Sequence, residues 1–156
     1  MELMLFAAGY SIDNGKATQR AACAVVLMAR DGDRGKYREI AHHLESATGP
    51  QAELQAAYLA LAAVKPRLRL GPIVLTVGSY PARVLERTGE GWTTNAKSNE
   101  RLVERLRVLA AQFPALTVSS RRADELTRAG ELARGAAQTQ TQTDTGSEDR
   151  SYTGGA

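Results

Sequence analysis

Two adjacent histidines and a single cysteine are the first side chains in this sequence that could bind a metal or do redox chemistry. His42 and His43 lie in a stretch that alternates like a strand. Neighbouring residues on a strand face opposite sides, so these two do not readily chelate one ion. Cys23 lies in the apolar run AACAVVLM and is predicted to be a buried core thiol. A single cysteine predicts neither a disulfide framework nor a cysteine-based metal site.

A basic segment, GWTTNAKSNERLVERL, carries side chains that nucleic-acid-binding surfaces use. Trp92 could stack on a sugar or a base. Arg101 and Arg105 are four residues apart, which places them on one side of a helix. The alternatives are a packing role for the tryptophan and ion pairs of the arginines with Glu100 and Glu104.

The length, composition and net charge of the chain limit the number of domains and the classes of partner. The chain has 156 residues, of which 43% are hydrophobic and 24% charged, and this predicts one domain. The first 137 residues carry a net charge of +5 and the remainder −2, a balance that permits a polyanionic partner. No apolar run approaches the roughly 20 residues of a membrane span, and the first ten residues lack the pattern of a signal peptide. We therefore expect a cytoplasmic protein without a membrane partner.

The last 19 residues, QTQTQTDTGSEDRSYTGGA, differ from the rest in composition. They are polar and rich in threonine, glutamine and glycine, which is typical of a disordered segment. The predicted organisation is a folded domain over 1–137 and a disordered polar tail over 138–156. The tail could act as a tether or compete weakly for the basic surface, or it could be inert.

Hydrophobic periodicity and turn residues predict an α/β fold. Strands are predicted over 3–9, 22–30, 36–44, 72–77 and 114–120, and helices over 48–65, 79–88, 99–112 and 123–137. The first three strands form an antiparallel meander, and helices then alternate with the remaining strands. This order indicates a five-stranded mixed sheet flanked by helices.

Four motifs in this order resemble ribonuclease H of the bacterial type over residues 3–137. TGPQAELQAAYLALAAVK is similar to the family's T-N-N-R-M-E-L-x-A-A-x-x-A-L helix and places Glu53 at the position of the catalytic glutamate. Asn14 and Gly15 fall at the family's N-P-G turn. GWTTNAKSNERLVERL is similar to W-K-x-x-x-x-x-V-K-N-x-D-L-W-x-x-L, and AGELARGAA to A-D-E-L-A-x-x-A. The resemblance implies the ribonuclease H-like fold.

The resemblance also implies a chemistry and shows where this chain departs from it. The family hydrolyses the RNA strand of an RNA–DNA hybrid with two Mg²⁺ ions, which a cluster of four carboxylates holds. Matched to the family's motifs, Ala8 replaces the first aspartate, Gly78 the second and Gly130 the last, while Glu53 remains. One carboxylate cannot hold two Mg²⁺ ions, so we expect no metal site and a catalytically inactive protein.

Three other carboxylates could in principle restore the site. Asp13 lies five residues after Ala8, where the period of a strand places it on the wrong face. Asp124 fits only if the closing helix is shifted to an earlier start, and Glu131 is turned about 100° around the helix from Gly130. The sequence therefore predicts that the site has been lost rather than rebuilt.

The resulting hypothesis is a domain that binds nucleic acid, an RNA–DNA hybrid or a duplex, without cleaving it. The residues that match the family's polar and basic binding positions are Asn14, Thr48, Ser79, Trp92, Thr94, Lys97, Asn99, Arg101 and Arg105.

Two other hypotheses remain open. One is a protein-interaction scaffold on the same fold, which predicts an apolar patch built from Ala7, Ala8, Tyr10, Gly78 and Tyr80. The other is residual ribonuclease H activity on RNA–DNA hybrids, with Mg²⁺ or Mn²⁺ bound near the one surviving carboxylate. A cofactor is expected only under this last hypothesis.

Overall fold

Three long antiparallel strands form the centre of the fold. The computed structural model describes residues 2–13, 16–17, 19–88, 91–93, 99–121, 127–146 and 148–151. Strand β1 spans Glu2–Ile12, β2 spans Arg20–Asp31 and β3 spans Arg34–Leu44. β2 pairs with both neighbours along its whole length. The turn between β2 and β3 contains Gly32 at a φ of 63°, a conformation that glycine adopts without steric cost.

Two parallel strands extend this meander on the other side of β1. β4 (Ile73–Val77) pairs with β1, and β7 (Leu116–Ser120) pairs with β4. The strand order β7-β4-β1-β2-β3 places β1 in the middle of the sheet. The prediction of an antiparallel meander followed by parallel strands is confirmed.

Helices cover both faces of the sheet. α1 (Gly49–Ala62) packs on β1 and β2, and α3 (Glu100–Ala110) packs on α1. α4 (Thr127–Thr139) lies on the opposite face, against β1, β2 and β3. The buried face of α1 consists largely of alanines, whose small side chains let the helix approach the sheet closely.

The segment after β4 differs from the sequence prediction. The predicted helix over 79–88 ends early: α2 spans Ser79–Val84, and β5 (Glu86–Thr88) then forms a hairpin with β6 (Gly91–Thr93). Leu85, between α2 and β5, is 1% exposed and has left the helical conformation, with a φ of −96° and a ψ of 25°. Within the described ranges, no helix is long and apolar enough to cross a membrane.

The structure also differs from the prediction of a disordered tail from residue 138. α4 continues to Thr139, and β8 (Thr143–Asp144) and β9 (Glu148–Ser151) both pair with the outer edge of β3. The sheet therefore has seven strands rather than five. The physical reason is that an edge strand presents unpaired N–H and C=O groups, which a polar segment can satisfy with its own backbone.

An ion pair and backbone hydrogen bonds hold the tail on β3. The Arg38 guanidinium donates to both carboxylate oxygens of Asp144, at 3.0 and 2.6 Å, and lowers the pKa of Asp144 to about 2. The Thr145 N–H donates to the Glu39 carbonyl at 3.1 Å, and the Glu39 N–H donates to Thr145 Oγ1 at 3.0 Å. Exposed ion pairs contribute little, so backbone pairing is the larger part of this attachment.

A buried carboxylate ties α4 to the sheet. Glu39 on β3 is 7% exposed and accepts a hydrogen bond from the Tyr37 hydroxyl at 2.7 Å. Arg128, in the first turn of α4, donates to both of its oxygens, with an Nη2–Oε1 distance of 2.9 Å. The carboxylate raises the pKa of Arg128, so the guanidinium stays charged. This cluster fixes where α4 begins over the sheet.

We expect Glu39→Ala to lower the free energy of unfolding by about 1–3 kcal/mol, because it leaves the buried Tyr37 hydroxyl without this acceptor. Urea unfolding followed by circular dichroism measures the change. Glu131→Ala is the matched control, since Glu131 is exposed and also pairs with Arg128, at 3.6 Å. Equal losses in the two variants would contradict the anchoring role.

Candidate functional site

The positions that the resemblance singled out meet where β4 ends beside β1. Phe6 pairs with Thr76, so Ala8 and Gly78, each two residues further along, lie at the same level of the two parallel strands. The first turns of α1, which carry Glu53, reach the same level. Residues from three separate segments therefore converge at one edge of the fold.

Gly9 brings α1 into direct backbone contact with β1. A Cβ atom added at Gly9 would overlap the backbone atoms of Ala52 and Glu53. Neither backbone can yield without moving a whole element, so only glycine fits at this point. This close approach places the Glu53 side chain at the end of β4.

The Glu53 carboxylate lies beside Gly78. A Cβ atom at Gly78 would be 3.1 Å from Glu53 Oε1 and 3.4 Å from Cδ. The carboxylate therefore occupies the space in which a side chain at Gly78 would begin. Glu53 is half-buried, and burial raises the pKa of its carboxyl group. It forms neither a hydrogen bond nor an ion pair with another described residue.

Ala8 and Gly130 lie on the opposite side of the sheet, where α4 packs. Ala8 packs against a small cluster formed by Val26, Tyr37 and Ala129. Gly130 follows Ala129 on α4 and is half-buried. The four positions thus surround the central part of β1, with Glu53 on the α1 side and Gly130 on the α4 side.

These residues do not fit the two Mg²⁺ ions that the family resemblance implies. Each Mg²⁺ needs several oxygen ligands at about 2.1 Å in near-octahedral geometry. Ala8, Gly78 and Gly130 have no side-chain oxygen, which leaves Glu53 as a lone donor. In the part of the chain that the structure describes, no group of three or more His, Cys, Asp or Glu side chains is placed to hold a metal ion.

The alternative carboxylates have other positions. Asp13 is exposed at a φ of 54°, in the turn that follows β1. Glu131 is exposed and its Oε2 lies 3.6 Å from Nη1 of Arg128. Asp124 lies outside the described residues. Neither of the two described carboxylates joins Glu53.

A groove runs between the start of α1 and the start of α3, and Leu44, Ala47 and Leu102 line it together with polar side chains. Thr48 caps α1: its Oγ1 accepts from the Gln51 N–H at 3.3 Å, and Gln51 Oε1 accepts from the Thr48 N–H at 2.9 Å. Gln51 Nε2 also donates to Asn99 Oδ1 at 2.9 Å and so joins the two helix starts. The groove lining includes Glu45, Ser46, Gln51, Gln55, Asn99, Glu100 and Arg101.

Of the three arginines of α3, Arg101 and Arg105 are exposed and Arg107 is half-buried. Arg101 lines the groove. The Arg105 guanidinium lies 4.8 Å from the centre of the Tyr58 ring, a cation–π contact that orients it. Neither pairs with a glutamate of α3 within the described residues, and Glu104 instead lies 3.5 Å from Arg107.

The remaining predicted binding residues are placed differently. Ser79 is exposed as the first residue of α2. Trp92 belongs to β6, where only its backbone is described. Asn14, Thr94 and Lys97 lie outside the described residues.

The five residues of the predicted apolar patch do not share one surface. Ala7 is 2% exposed and belongs to the core on the α1 side. Ala8 and Tyr10 face α4 instead, because successive residues of a strand point to opposite faces and residues two apart share a face. Tyr80 packs against the α1-side core. The prediction of a shared patch is therefore wrong.

Gln51 is a site residue that the sequence reasoning missed. Its role was readable from the spacing, since a threonine followed three residues later by glutamine at a helix start is a capping box. The contact with Asn99 was not readable, because it joins two helices 48 residues apart.

No protein-family model and no curated protein matches this sequence. Solved structures do match its fold. RNase H1 from the halophilic archaeon Halobacterium salinarum NRC-1 is 26% identical, with a TM-score of 0.68 over 90% of this chain and 100% of that one. LC9-RNase H1, described as a type 1 RNase H with the type 2 active-site motif, is 21% identical, with a TM-score of 0.70 over 96% and 78%.

A viral protein gives a similar result at lower identity. The foamy viral protease-reverse transcriptase, solved in complex with an RNA/DNA hybrid, is 12% identical, with a TM-score of 0.67 over 88% of this chain and 20% of that one. Together these comparisons show that the chain has the ribonuclease H-like fold.

Replacing Gly9 tests the close approach between β1 and α1. We expect Gly9→Ala to lower the free energy of unfolding by about 1–3 kcal/mol or more, because the new methyl group overlaps backbone atoms. Gly135→Ala on α4 is the control: its Cβ meets nothing within 4 Å, so better helix propensity should stabilise the fold by up to about 1 kcal/mol. Thermal unfolding of both variants measures the difference, and a neutral Gly9→Ala would contradict the steric account.

Replacing Glu53 tests its electrostatic environment. The pKa of Glu53 is raised in the folded state, so its ionisation opposes folding as the pH rises through that pKa. Glu53→Gln should therefore unfold at a higher temperature than wild type at pH 7–8. The difference in unfolding temperature should disappear below about pH 4, where the carboxyl group is protonated in both the folded and the unfolded protein. Glu45→Gln, at an exposed position, serves as the control. A difference in unfolding temperature between Glu53→Gln and wild type that does not change with pH would contradict this account.

Proposed function

We propose that this domain binds nucleic acid, an RNA–DNA hybrid or a duplex, through its ribonuclease H-like surface and does not cleave it. One observation carries the proposal. The chain has the ribonuclease H-like fold and a groove lined by amide and arginine side chains between α1 and α3, whereas three of the four positions that would supply metal-binding oxygens are Ala8, Gly78 and Gly130.

The groove offers suitable chemistry for a nucleic acid. Gln51, Gln55 and Asn99 present amides that can donate to phosphate or sugar oxygens, and Ser46 adds a hydroxyl. Arg101 lies at the groove, and arginine contacts phosphates at bidentate geometry. Two glutamates of the lining, Glu45 and Glu100, limit the positive charge of the groove. Binding of nucleic acid therefore depends on hydrogen bonds as well as on charge.

The structural comparisons support this class of partner. A viral protein with a similar fold was solved in complex with an RNA/DNA hybrid. In this chain the exposed arginines of α3 flank the groove, and Arg105 is oriented by its contact with Tyr58. Binding on these terms requires neither Mg²⁺ nor Mn²⁺, because every group involved belongs to the protein.

A combined binding and cleavage assay on a labelled RNA–DNA hybrid tests the proposal. We expect binding in EDTA that weakens roughly 100-fold between about 50 and 200 mM salt if about four phosphates are contacted. No cleavage is expected with Mg²⁺ or Mn²⁺. The double variant Arg101→Glu, Arg105→Glu should raise Kd about tenfold or more and reduce the salt dependence. Lys65→Glu reverses an equally exposed charge beyond the other end of α1 and should leave Kd within about twofold.

Two results would replace the proposal. Metal-dependent cleavage that Glu53→Gln abolishes would establish residual ribonuclease activity. Absence of both binding and cleavage, or binding that is indifferent to salt, would favour a protein-interaction scaffold.

A further inference from the structure

A stacked pair, Tyr10 and Arg134, lies next to the positions of the missing carboxylates. The guanidinium carbon of Arg134 is 5.4 Å from the centre of the Tyr10 ring, within the range of a cation–π contact. Tyr10 is half-buried against the alanine cluster between the sheet and α4, and this packing fixes its ring. Arg134 is exposed on α4. The tyrosine therefore holds an accessible positive charge in place.

The spacing of both residues places this charge at the candidate site. Tyr10 is two residues after Ala8, so both side chains face α4 and their Cα atoms are about 6.7 Å apart. Arg134 is four residues after Gly130, on the same side of α4 and about 6 Å further along its axis. The stacked pair thus lies next to Ala8 and Gly130, two positions at which the family resemblance implies an aspartate.

A second arginine, Arg20, lies near the same end of α4 and extends the positively charged surface. Arg20, opposite Ile12 at the start of β2, donates from Nη1 to the Gln138 carbonyl at 3.4 Å. Gln138 is four residues after Arg134 on the same side of α4. Among the described residues no carboxylate pairs with Arg134, and Glu131 on the same helix is turned towards Arg128 instead. The guanidinium of Arg134 is thus available to an anion.

We propose that Arg134, held over Tyr10, binds a backbone phosphate of the nucleic acid at the place where the fold would otherwise hold metal ions. This inference rests on the proposed function. A guanidinium offers two parallel N–H donors to a phosphate and remains charged at any physiological pH. It can neutralise the phosphate but cannot generate an attacking hydroxide as a bound metal does, so it supplies affinity without cleavage.

Substitutions of the pair in the full chain test the inference on the labelled hybrid. Arg134→Ala should raise Kd about five- to tenfold and lower the slope of log K against log salt by about one phosphate. The Kd of Arg134→Lys should lie between those of wild type and Arg134→Ala, because lysine keeps the charge but loses the bidentate geometry. Tyr10→Phe should leave binding unchanged, whereas Tyr10→Leu should weaken it. Arg67→Ala, an exposed arginine after α1, is the control and should have no effect.

The outcomes separate this inference from the proposed function. If wild type binds and the α3 arginine variants weaken binding while Arg134→Ala changes neither Kd nor the slope, the Arg134 inference is overturned and the proposed function stands. If wild type binds no nucleic acid, both are overturned. Circular dichroism and thermal melts of each variant confirm that a loss of binding is not a loss of folding.

Discussion

The contact between the backbone of Gly9 and the backbone of Ala52 and Glu53 is the constraint on which the rest of the structure depends. It sets how deeply α1 lies on the sheet, and the alanines that follow along the buried face of α1 keep the same short distance. The start of α1 then meets the start of α3 through Gln51 and Asn99. The placement of α1, which forms one wall of the groove, therefore depends on one position that has no side chain.

Of the four positions at which the family resemblance implies carboxylates, only Glu53 carries one in this chain. Four carboxylates in one place repel one another and are tolerated only when cations compensate them. In this chain Ala8, Gly78 and Gly130 carry no charge, and Glu53 lies in a half-buried position that disfavours its ionised form. A positive side chain, Arg134, lies on the same side of β1 as Ala8. Arg134 thus places a positive charge near positions at which the family resemblance implies carboxylates.

The sequence predicted most of the fold because the central elements carry clear periodicity. The strands around Leu5, Val25 and Leu75 are apolar, β-branched residues lie next to the last two, and their order was confirmed. The hairpin after α2 was missed because Leu85 continues a helical pattern while packing decides otherwise. The buried cluster around Glu39 was also missed: an acidic residue in an alternating strand reads as solvent-facing, and its partner Arg128 is 89 residues away.

At the site, the sequence could identify positions but not contacts. The motif matches brought Ala8, Glu53 and Gly78 into one hypothesis, and the structure places Glu53 beside Gly78, with Ala8 at the same strand level but facing α4. The stacking of Arg134 on Tyr10 depends on how α4 crosses β1, which no local pattern encodes. The grouping of Ala7 with Ala8 failed for a simpler reason, since consecutive strand residues point to opposite faces.

The pairing of the tail with β3 has a consequence for how the chain is made. Arg38 and its partner Asp144 are 106 residues apart, so the outer edge of β3 stays uncovered until almost the whole domain has been synthesised. An uncovered edge strand can pair with another nascent or partly folded chain. The tail's polar, acidic composition makes it a poor seed for such pairing by itself, yet it can close the edge once folding is complete. A segment that adds nothing to the hydrophobic core can thus limit aggregation once synthesis of the domain is complete, but not before.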